Sequence, residues 1–337
     1  MKRRLLVLLL AMTLLLSACG EKTDNNSRTV YAMDTVMNLT VYGEGSKEML
    51  DEAEALLHKL ENTLSRRKED SAVAALNRDG SVDNELVSAL LTEAVHVAAA
   101  TDGAFYPALA QVIDLWGFGT DAQRVPAQDE LVPLLAAVEE SAFSFDGNTV
   151  TLHGEADVDL GGIAKGGAGD LLCALAREKG VESAVFDLGG DVAVLGTKED
   201  GSEWRIAVKD PADAAQYLGV LTLSDAFVTT SGIYERYFEE NGLRYHHILD
   251  PNTGMSAESG LVSVTVVCEN GVWADALSTA CLVMGADEAR SLREDLADTL
   301  SFDLILVTED GRVLYTEGLA DSFAPAEEGN YSYEVIF

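Results

Sequence analysis

Ala184-Val185-Phe186-Asp187-Leu188-Gly189-Gly190-Asp191-Val192-Ala193-Val194-Leu195 holds two short apolar runs split by a Gly-Gly-Asp turn. Short runs rich in Val and Phe and bounded by glycine read as strands. A crossover between parallel neighbours needs about a dozen residues or more. The break here is far too short, so the strands at 184–188 and 192–195 are expected to pair antiparallel. The same texture continues outward, with short strands expected at 150–152, 205–208, 218–223, 245–249 and 262–267. Residues 303–307 and 312–315 read as a hairpin turning at Asp310-Gly311. Helices are expected at 165–179 and 273–284. Upstream, 29–42 reads as one strand. Leu50, Ala53, Leu57, Leu60 and Leu64 recur at helical spacing in a helix ending near Ser65. Further helices are expected at 84–100 and 129–139, and 103–119 reads as a loop carrying Phe105, Tyr106, Trp116 and Phe118. The fold class is therefore α+β, a mixed and largely antiparallel sheet layered with helices.

The amino terminus reads as a targeting leader. Lys2, Arg3 and Arg4 precede an apolar run from Leu5 to Leu16, which is too short to span a bilayer as a mature helix. Leu16-Ser17-Ala18-Cys19 then forms a lipobox, so residues 1–18 are expected to be cleaved and Cys19 acylated. Residues 19–28, polar and without periodicity, are expected to form a flexible tether ahead of one domain at 29–337. The chain has 23 basic and 57 acidic residues, a net charge of −34. Such a surface repels nucleic acid, and a protein of this charge that handles a polyanion must gather cations at its site. Apart from Cys19 there are Cys173, Cys268 and Cys281, an odd number in apolar surroundings, which argues against a disulfide framework. No Cys or His pair has zinc spacing, so a metal would be a hard ion held by oxygens.

Three segments carry chemistry. Asp157-Val158-Asp159-Leu160-Gly161-Gly162-Ile163-Ala164-Lys165-Gly166-Gly167-Ala168-Gly169-Asp170 joins a strand end, a glycine-rich turn and a lysine opening a helix. That is a plausible anion cradle, because bare backbone approaches phosphate closely and helix amino-terminal amides point outward. It is not a Walker motif, since no Ser or Thr follows the lysine. Tyr245-His246-His247-Ile248-Leu249-Asp250-Pro251-Asn252-Thr253-Gly254 places imidazole at a strand end, where it could move a proton. Ala274-Asp275-Ala276-Leu277-Ser278-Thr279-Ala280 sets Asp275 and Thr279 one helical turn apart. Their oxygens could share a hard cation, or the aspartate could simply cap or decorate the helix.

Taken together these motifs resemble the ApbE family. Met33-Asp34-Thr35, Leu64-Ser65 with Ser71 and Asn77, Thr101-Asp102-Gly103-Ala104-Phe105 leading to Leu115-Trp116-Gly117-Phe118, then DLGGIAKG, TTSG, HHILDPNTG and ADALSTA stand in that family's order. The resemblance covers about residues 30–319. It implies an α+β fold in two parts with FAD in the cleft between them. It also implies transfer of FMN from FAD, with Mg2+, to a Ser or Thr hydroxyl of an acceptor flavoprotein, releasing AMP. Acceptors in the family are subunits of membrane redox pumps and extracytoplasmic reductases. By the same resemblance Met33, Arg67, Ala104, Phe105, Tyr106, Asp159, Lys165 and Leu249 match flavin-binding positions. Gly162 (through its carbonyl), Asp275, Ser278 and Thr279 match the magnesium site, and His247 matches the histidine of proton transfer. Members often carry tyrosine at Arg67, aspartate at Tyr106 and glycine at Asp34. Two other readings share these motifs: an Mg2+-dependent FAD pyrophosphatase releasing FMN and AMP, and a non-catalytic flavin-binding lipoprotein.

Overall fold

The computed structural model describes residues 25–327 and 329–336; the leader and Cys19 lie outside them. The hairpin β1 (Asn25–Ala32) and β2 (Thr35–Tyr42) leads into helices α1 (Ser46–Leu64) and α2 (Ala72–Asp79). Strand β3 (Ser81–Asp83) and helices α3 (Glu85–Ala100), α4 (Ala110–Trp116) and α5 (Gln128–Glu140) follow. Strands β4 (Ala142–Asp146) and β5 (Thr149–His153) precede helix α6 (Ala164–Glu178). Next come β6 (Ala184–Asp187), β7 (Val192–Leu195), β8 (Trp204–Lys209), β9 (Tyr217–Leu223), β10 (Ala226–Gly232), β11 (Tyr237–Glu240) and β12 (Leu243–His246). The chain continues with β13 (Leu261–Cys268), α7 (Gly271–Met284), α8 (Ala286–Leu296), β14 (Phe302–Thr308), β15 (Arg312–Thr316), β16 (Phe323–Pro325) and β17 (Ser332–Ile336).

Among the described residues, nine strands form one sheet in the order β1-β2-β6-β7-β10-β13-β14-β15-β17. Every pair is antiparallel except β15 with β17. The Gly-Gly-Asp turn joins β6 to β7 as its brevity requires. Strand β13 lies near the middle and is buried along nearly its whole length, which explains its almost continuous apolar run. Helices α1, α6 and α7 pack together on one face of this sheet. The small sheet β16-β9-β8 covers the other, burying Trp204, Leu221 and Phe323 against Val194, Val267 and Ile305. A separate core gathers Trp116, Phe118, Leu131, Phe238 and Leu249 from α4, α5, the β11–β12 hairpin and the segment after it. Cys173, Cys268 and Cys281 are free and buried.

Three local expectations are corrected. Residues 29–42 are a hairpin rather than one strand, reversing at Met33-Asp34 with both residues at positive φ (54° and 59°). The buried positions change phase at the turn, from Val30 and Ala32 to Met37, Leu39 and Val41, but the run rich in Val, Thr and Tyr continues through it and neither turn residue is the Asn or Gly such a reversal prefers. Residues 25–28 belong to β1 instead of a tether, because pairing with β2 satisfies their backbone and Arg28 bridges Asp51 at 2.6 Å and Glu54 at 2.7 Å on α1. The stretch 103–119 includes α4, which is too short to display a helical period. Strand β10, for which no element was expected, is central to the sheet; at its TTSG end the Thr230 and Ser231 hydroxyls meet Thr265 and Ser278, while the buried Thr229 hydroxyl has no hydrogen-bond partner among the described residues.

Candidate active site

The glycines of the lysine segment serve two purposes. Gly166, Gly167 and Gly169 lie within α6, where they admit neighbours rather than phosphate. A β-carbon on Gly166 would sit 2.0 Å from the Gly271 carbonyl oxygen, and one on Gly271 would sit 2.4 Å from that of Gly166. Those on Gly167 and Gly169 would meet Leu90 at 2.7 Å and Phe227 at 2.6 Å. This is a correction to the cradle reading: only Gly161 and Gly162 precede the helix and remain for it. The close approach of α6 and α7 lets each helix cap the other. Asp170 on α6 accepts from the Gly271 and Val272 amides at 2.9 and 3.0 Å, while Asp275 Oδ2 on α7 accepts from the Gly166 amide at 2.9 Å. Each carboxylate thereby meets the positive end of a helix. Burial pushes the Asp170 carboxyl up, and the two amides oppose it.

Lys165 occupies the first turn of α6, between two buried carboxylates. It is ion-paired to Asp191, and Asp275 Oδ1 lies 3.5 Å away. Burial alone would lower the lysine pKa, but the two carboxylates outweigh it and raise the value, so the ammonium is charged. Burial pushes Asp191 upward while Lys165 pulls it down. A proton shared in this pair stays with the lysine, which has two acceptors against one donor.

Thr279 is one turn along from Asp275, half-buried, with its hydroxyl 3.2 Å from Ser231 Oγ. Ser278 is fully buried; its hydroxyl donates to the Asp275 carbonyl at 2.8 Å and meets Ser231 Oγ at 2.7 Å. Ser278 therefore packs α7 on β10, and half-buried Thr279 is the more open of the two hydroxyls. Among the described residues no three His, Cys, Asp or Glu side chains converge on one point. A donor set of one carboxylate, a hydroxyl and a carbonyl suits magnesium, which keeps waters and takes substrate oxygens readily.

The two histidines diverge. His246 is buried, with Nε2 3.1 Å from the Ala257 carbonyl. His247 is half-buried, and its Nδ1 faces the Arg236 carbonyl at 3.3 Å. A carbonyl only accepts, so Nδ1 carries the proton and Nε2 keeps its lone pair. Burial, reinforced by the positive charges of Arg236 and Lys165, pushes the His247 pKa from 6.5 down to about 4. The ring is neutral at physiological pH and lies within electrostatic reach of Lys165.

The wall of the site is pinned by side chains named for their motifs alone. Asn77 clamps the backbone of Val158 from both sides, at 2.9 and 2.8 Å, and Ser71 caps α2 through the Ala74 amide at 2.9 Å. Asp159 accepts from the Gly161 amide at 2.6 Å, while its own amide donates to the Pro107 carbonyl at 2.8 Å. Phe105 lies against Gly162, where a β-carbon would be 3.0 Å from the ring. Trp116 Nε1 donates to the Gly254 carbonyl at 2.7 Å, joining the aromatic segment to the histidine motif.

The ApbE family model matches residues 33–302. This chain belongs to the ApbE family. It is 31% identical to the FAD:protein FMN transferase of Vibrio cholerae, covering 94% of this chain and 97% of that one. Identity to the Treponema pallidum enzyme of the same name is 34%, over 90% and 91% of the two chains. The crystal structure of the ApbE protein from Thermotoga maritima superposes with a TM-score of 0.78 at 31% identity, covering 90% of this chain and 97% of that one. The solved structure of the flavin transferase ApbE from Vibrio cholerae gives 0.75 at 26% identity, over 90% and 97%.

Of the residues expected from ApbE motifs, the structure brings Lys165 and Asp275 together and sets Thr279 one turn along α7, while His247, held by the Arg236 carbonyl, feels Lys165 only through its charge. Asp159 and Gly162 meet the Phe105–Pro107 segment just ahead of α6, where Gly162 stands three residues before Lys165. Met33 sits half-buried at the hairpin tip and packs on the main core. Leu249 turns its side chain into the Trp116 core. The Tyr106 hydroxyl is 3.1 Å from both the carbonyl and the hydroxyl of Ser141.

Arg67 is exposed, with its amide 3.4 Å from Ser65 Oγ. Its neighbour Arg66, which sequence reasoning missed, instead donates to Asp159 at 2.5 Å and to both Asp114 oxygens at 2.7 Å. Nothing in two consecutive arginines distinguishes the one that turns inward. Asp191 was also missed, although it closes the very turn that identifies the sheet. If Asp159 contacts FAD, Arg66→Ala is expected to weaken FAD binding about tenfold or more, the scale of a charge-assisted pair, and Arg67→Ala less than about twofold. Flavin fluorescence titration of both variants tests this, and equal effects would return the role to Arg67.

Proposed function

We propose that this chain transfers FMN from FAD to a Ser or Thr hydroxyl of an acceptor flavoprotein in an Mg2+-dependent reaction that releases AMP. The observation that carries the reading is the juxtaposition of a charged Lys165 and the Asp275 carboxylate at the start of α6, with a neutral His247 in electrostatic reach. Lysine and the α6 amino terminus offer positive charge to the pyrophosphate of a protein that is otherwise strongly acidic. Asp275, Thr279 and the Gly162 carbonyl would hold magnesium, which supplies Lewis-acid neutralisation of phosphate charge.

The acceptor hydroxyl gives its proton to Nε2 of His247, and its oxygen bonds to the FMN-side phosphorus. The bond from that phosphorus to the bridging oxygen breaks, and AMP departs with that oxygen. Asp159, set by Arg66 and Gly161, and the Ala104-Phe105-Tyr106 segment with Met33 line the flavin's place. The names of the relatives support the donor and the product; the donor set and the acidic surface support the metal. Incubation with FAD, Mg2+ and an acceptor subunit tests the whole reading. Covalently fluorescent acceptor is the expected result, whereas free FMN marks a pyrophosphatase and intact FAD a flavin binder.

The leader and lipobox support a mature chain that begins at Cys19 and is held by its lipid on the outer face of the bacterial membrane, where subunits of redox pumps and extracytoplasmic reductases present their acceptor residues. Metabolic labelling with a fatty-acid probe should mark the wild-type chain and not Cys19→Ser; label retained by the variant would remove the anchor.

A further inference from the structure

We propose that Asp191 is a positioning residue that holds the Lys165 ammonium away from Asp275 and so keeps the Asp275 carboxylate available, a role that rests on the metal reading above. Three groups share the start of α6: Lys165 and two carboxylates, with Asp191 5% and Asp275 3% exposed. They are not equivalent. Asp191 is in direct ion-pair contact with the lysine, whereas Asp275 stands at 3.5 Å and spends its other oxygen on the Gly166 amide at 2.9 Å. A carboxylate as buried as Asp191 needs its cation. Asp275 has a helix terminus to hold it in place without one. An ammonium has three donors, so Lys165 can keep Asp191 and still turn toward a phosphate oxygen.

The seat of Asp191 is stiff. The Leu188 amide donates to the Asp191 carbonyl at 2.8 Å, and Asp187 Oδ1 accepts from the Gly189 and Gly190 amides at 3.1 and 3.2 Å. Gly189, at φ +84°, lies directly beneath Thr35, where a β-carbon would be 2.2 Å from the threonine hydroxyl. The turn that positions the lysine is thus itself locked under the Met33-Asp34-Thr35 hairpin tip. Removing the charge of Asp191 leaves Asp275 as the carboxylate nearest to Lys165. The 3.5 Å pair then closes, and the lysine competes with magnesium for the same oxygen.

The test is FAD affinity, read by flavin fluorescence as magnesium is titrated, in the full-length protein. Asp191→Asn should raise the magnesium midpoint on the order of tenfold, the scale of coupling within one ion-pair network. FAD affinity at saturating metal should change far less. In a Lys165→Met background the same substitution should leave the midpoint where Lys165→Met alone puts it, which a general loss of structure would not do. An unmoved midpoint in Asp191→Asn, or a shift that persists without the lysine, overturns the assignment. Wild-type protein whose FAD affinity ignores magnesium fails earlier and differently, removing the metal reading together with this one. Thermal melts report folding. If Asp191→Asn does not fold, Asp191→Glu carries the test, since its longer side chain pushes the ammonium toward Asp275 and should raise the midpoint by a smaller factor.

Discussion

Asp275→Ala is expected to reduce Mg2+-dependent AMP release about a thousandfold or more, equivalent to roughly 4 kcal/mol of transition-state stabilisation. Asp275 is the full charge in the proposed metal donor set, and Thr279 and the Gly162 carbonyl are neutral oxygens that cannot replace it. The structure adds a complication that the sequence did not show. The same carboxylate caps α6 through the Gly166 amide, so alanine also leaves a buried N–H without its acceptor, a loss of about 1 kcal/mol. Asp275→Asn separates the two effects, because an amide oxygen still accepts from Gly166 while the charge is gone. Its melting temperature should stay near wild type, its activity should fall, and excess magnesium should restore part of it. Thr279→Ser keeps the hydroxyl and should be mild. AMP release against magnesium concentration, with melts alongside, decides the matter: a folded Asp275→Ala protein working at the wild-type rate would end the metal assignment.

His247→Asn is expected to lower turnover roughly a hundredfold, the usual contribution of a positioned general base, with FAD affinity nearly unchanged. Asparagine can still donate to the Arg236 carbonyl in place of Nδ1, so the loop after β12 should keep its course. What disappears is the lone pair on Nε2. The depressed pKa makes a second, independent expectation. With a value of about 4 in the free protein, the ring stays neutral well below its ordinary 6.5, so kcat/KM should hold across pH 8 to 5.5 instead of falling through 6.5. The linkage sign agrees. Between about 4 and 6.5 the unfolded chain binds a proton that the folded one refuses, so His247 makes stability rise with pH through that window and adds nothing above it. A pH–rate profile with its acid limb at 6.5, lost in His247→Asn, would show an ordinary exposed histidine. An unaltered rate in the variant would take the residue out of the reaction.

His246 illustrates how local sequence could and could not discriminate. Extended chain places consecutive side chains on opposite sides, which is enough to make His246 and His247 unlike, and the structure buries His246 beside Ala257. Periodicity likewise located α1, whose Leu50, Ala53, Leu57, Leu60 and Leu64 are buried, and α3, α5, α6 and α7 stand within two residues of their expected bounds although α7 is buried on nearly every side. It failed at Met33-Asp34, where a strand-like composition continues across a reversal. It was also silent on β10, whose Thr229-Thr230-Ser231 end is polar by composition yet is paired throughout with β13. Hydroxyl pairs such as Thr230 with Thr265 at 2.8 Å exist only once the strands have met.

The sequence by itself therefore determined what depends on near neighbours. Short strand spacing made the sheet antiparallel, apolar stripes made the helices, and the ordered motifs named the family. Only the tertiary structure decided which of two adjacent arginines, Arg66, holds Asp159. It also decided that Gly166, Gly167 and Gly169 admit α7, Leu90 and Phe227 rather than phosphate, and that Asp191 from the β6–β7 turn completes the lysine's surroundings. The reason is physical: a side chain's ionic partner and a glycine's missing β-carbon are set by elements that lie far apart in the chain and meet only when the core closes. Lys165 and Asp275 are 110 residues apart in sequence, and nothing local to either records the distance between them.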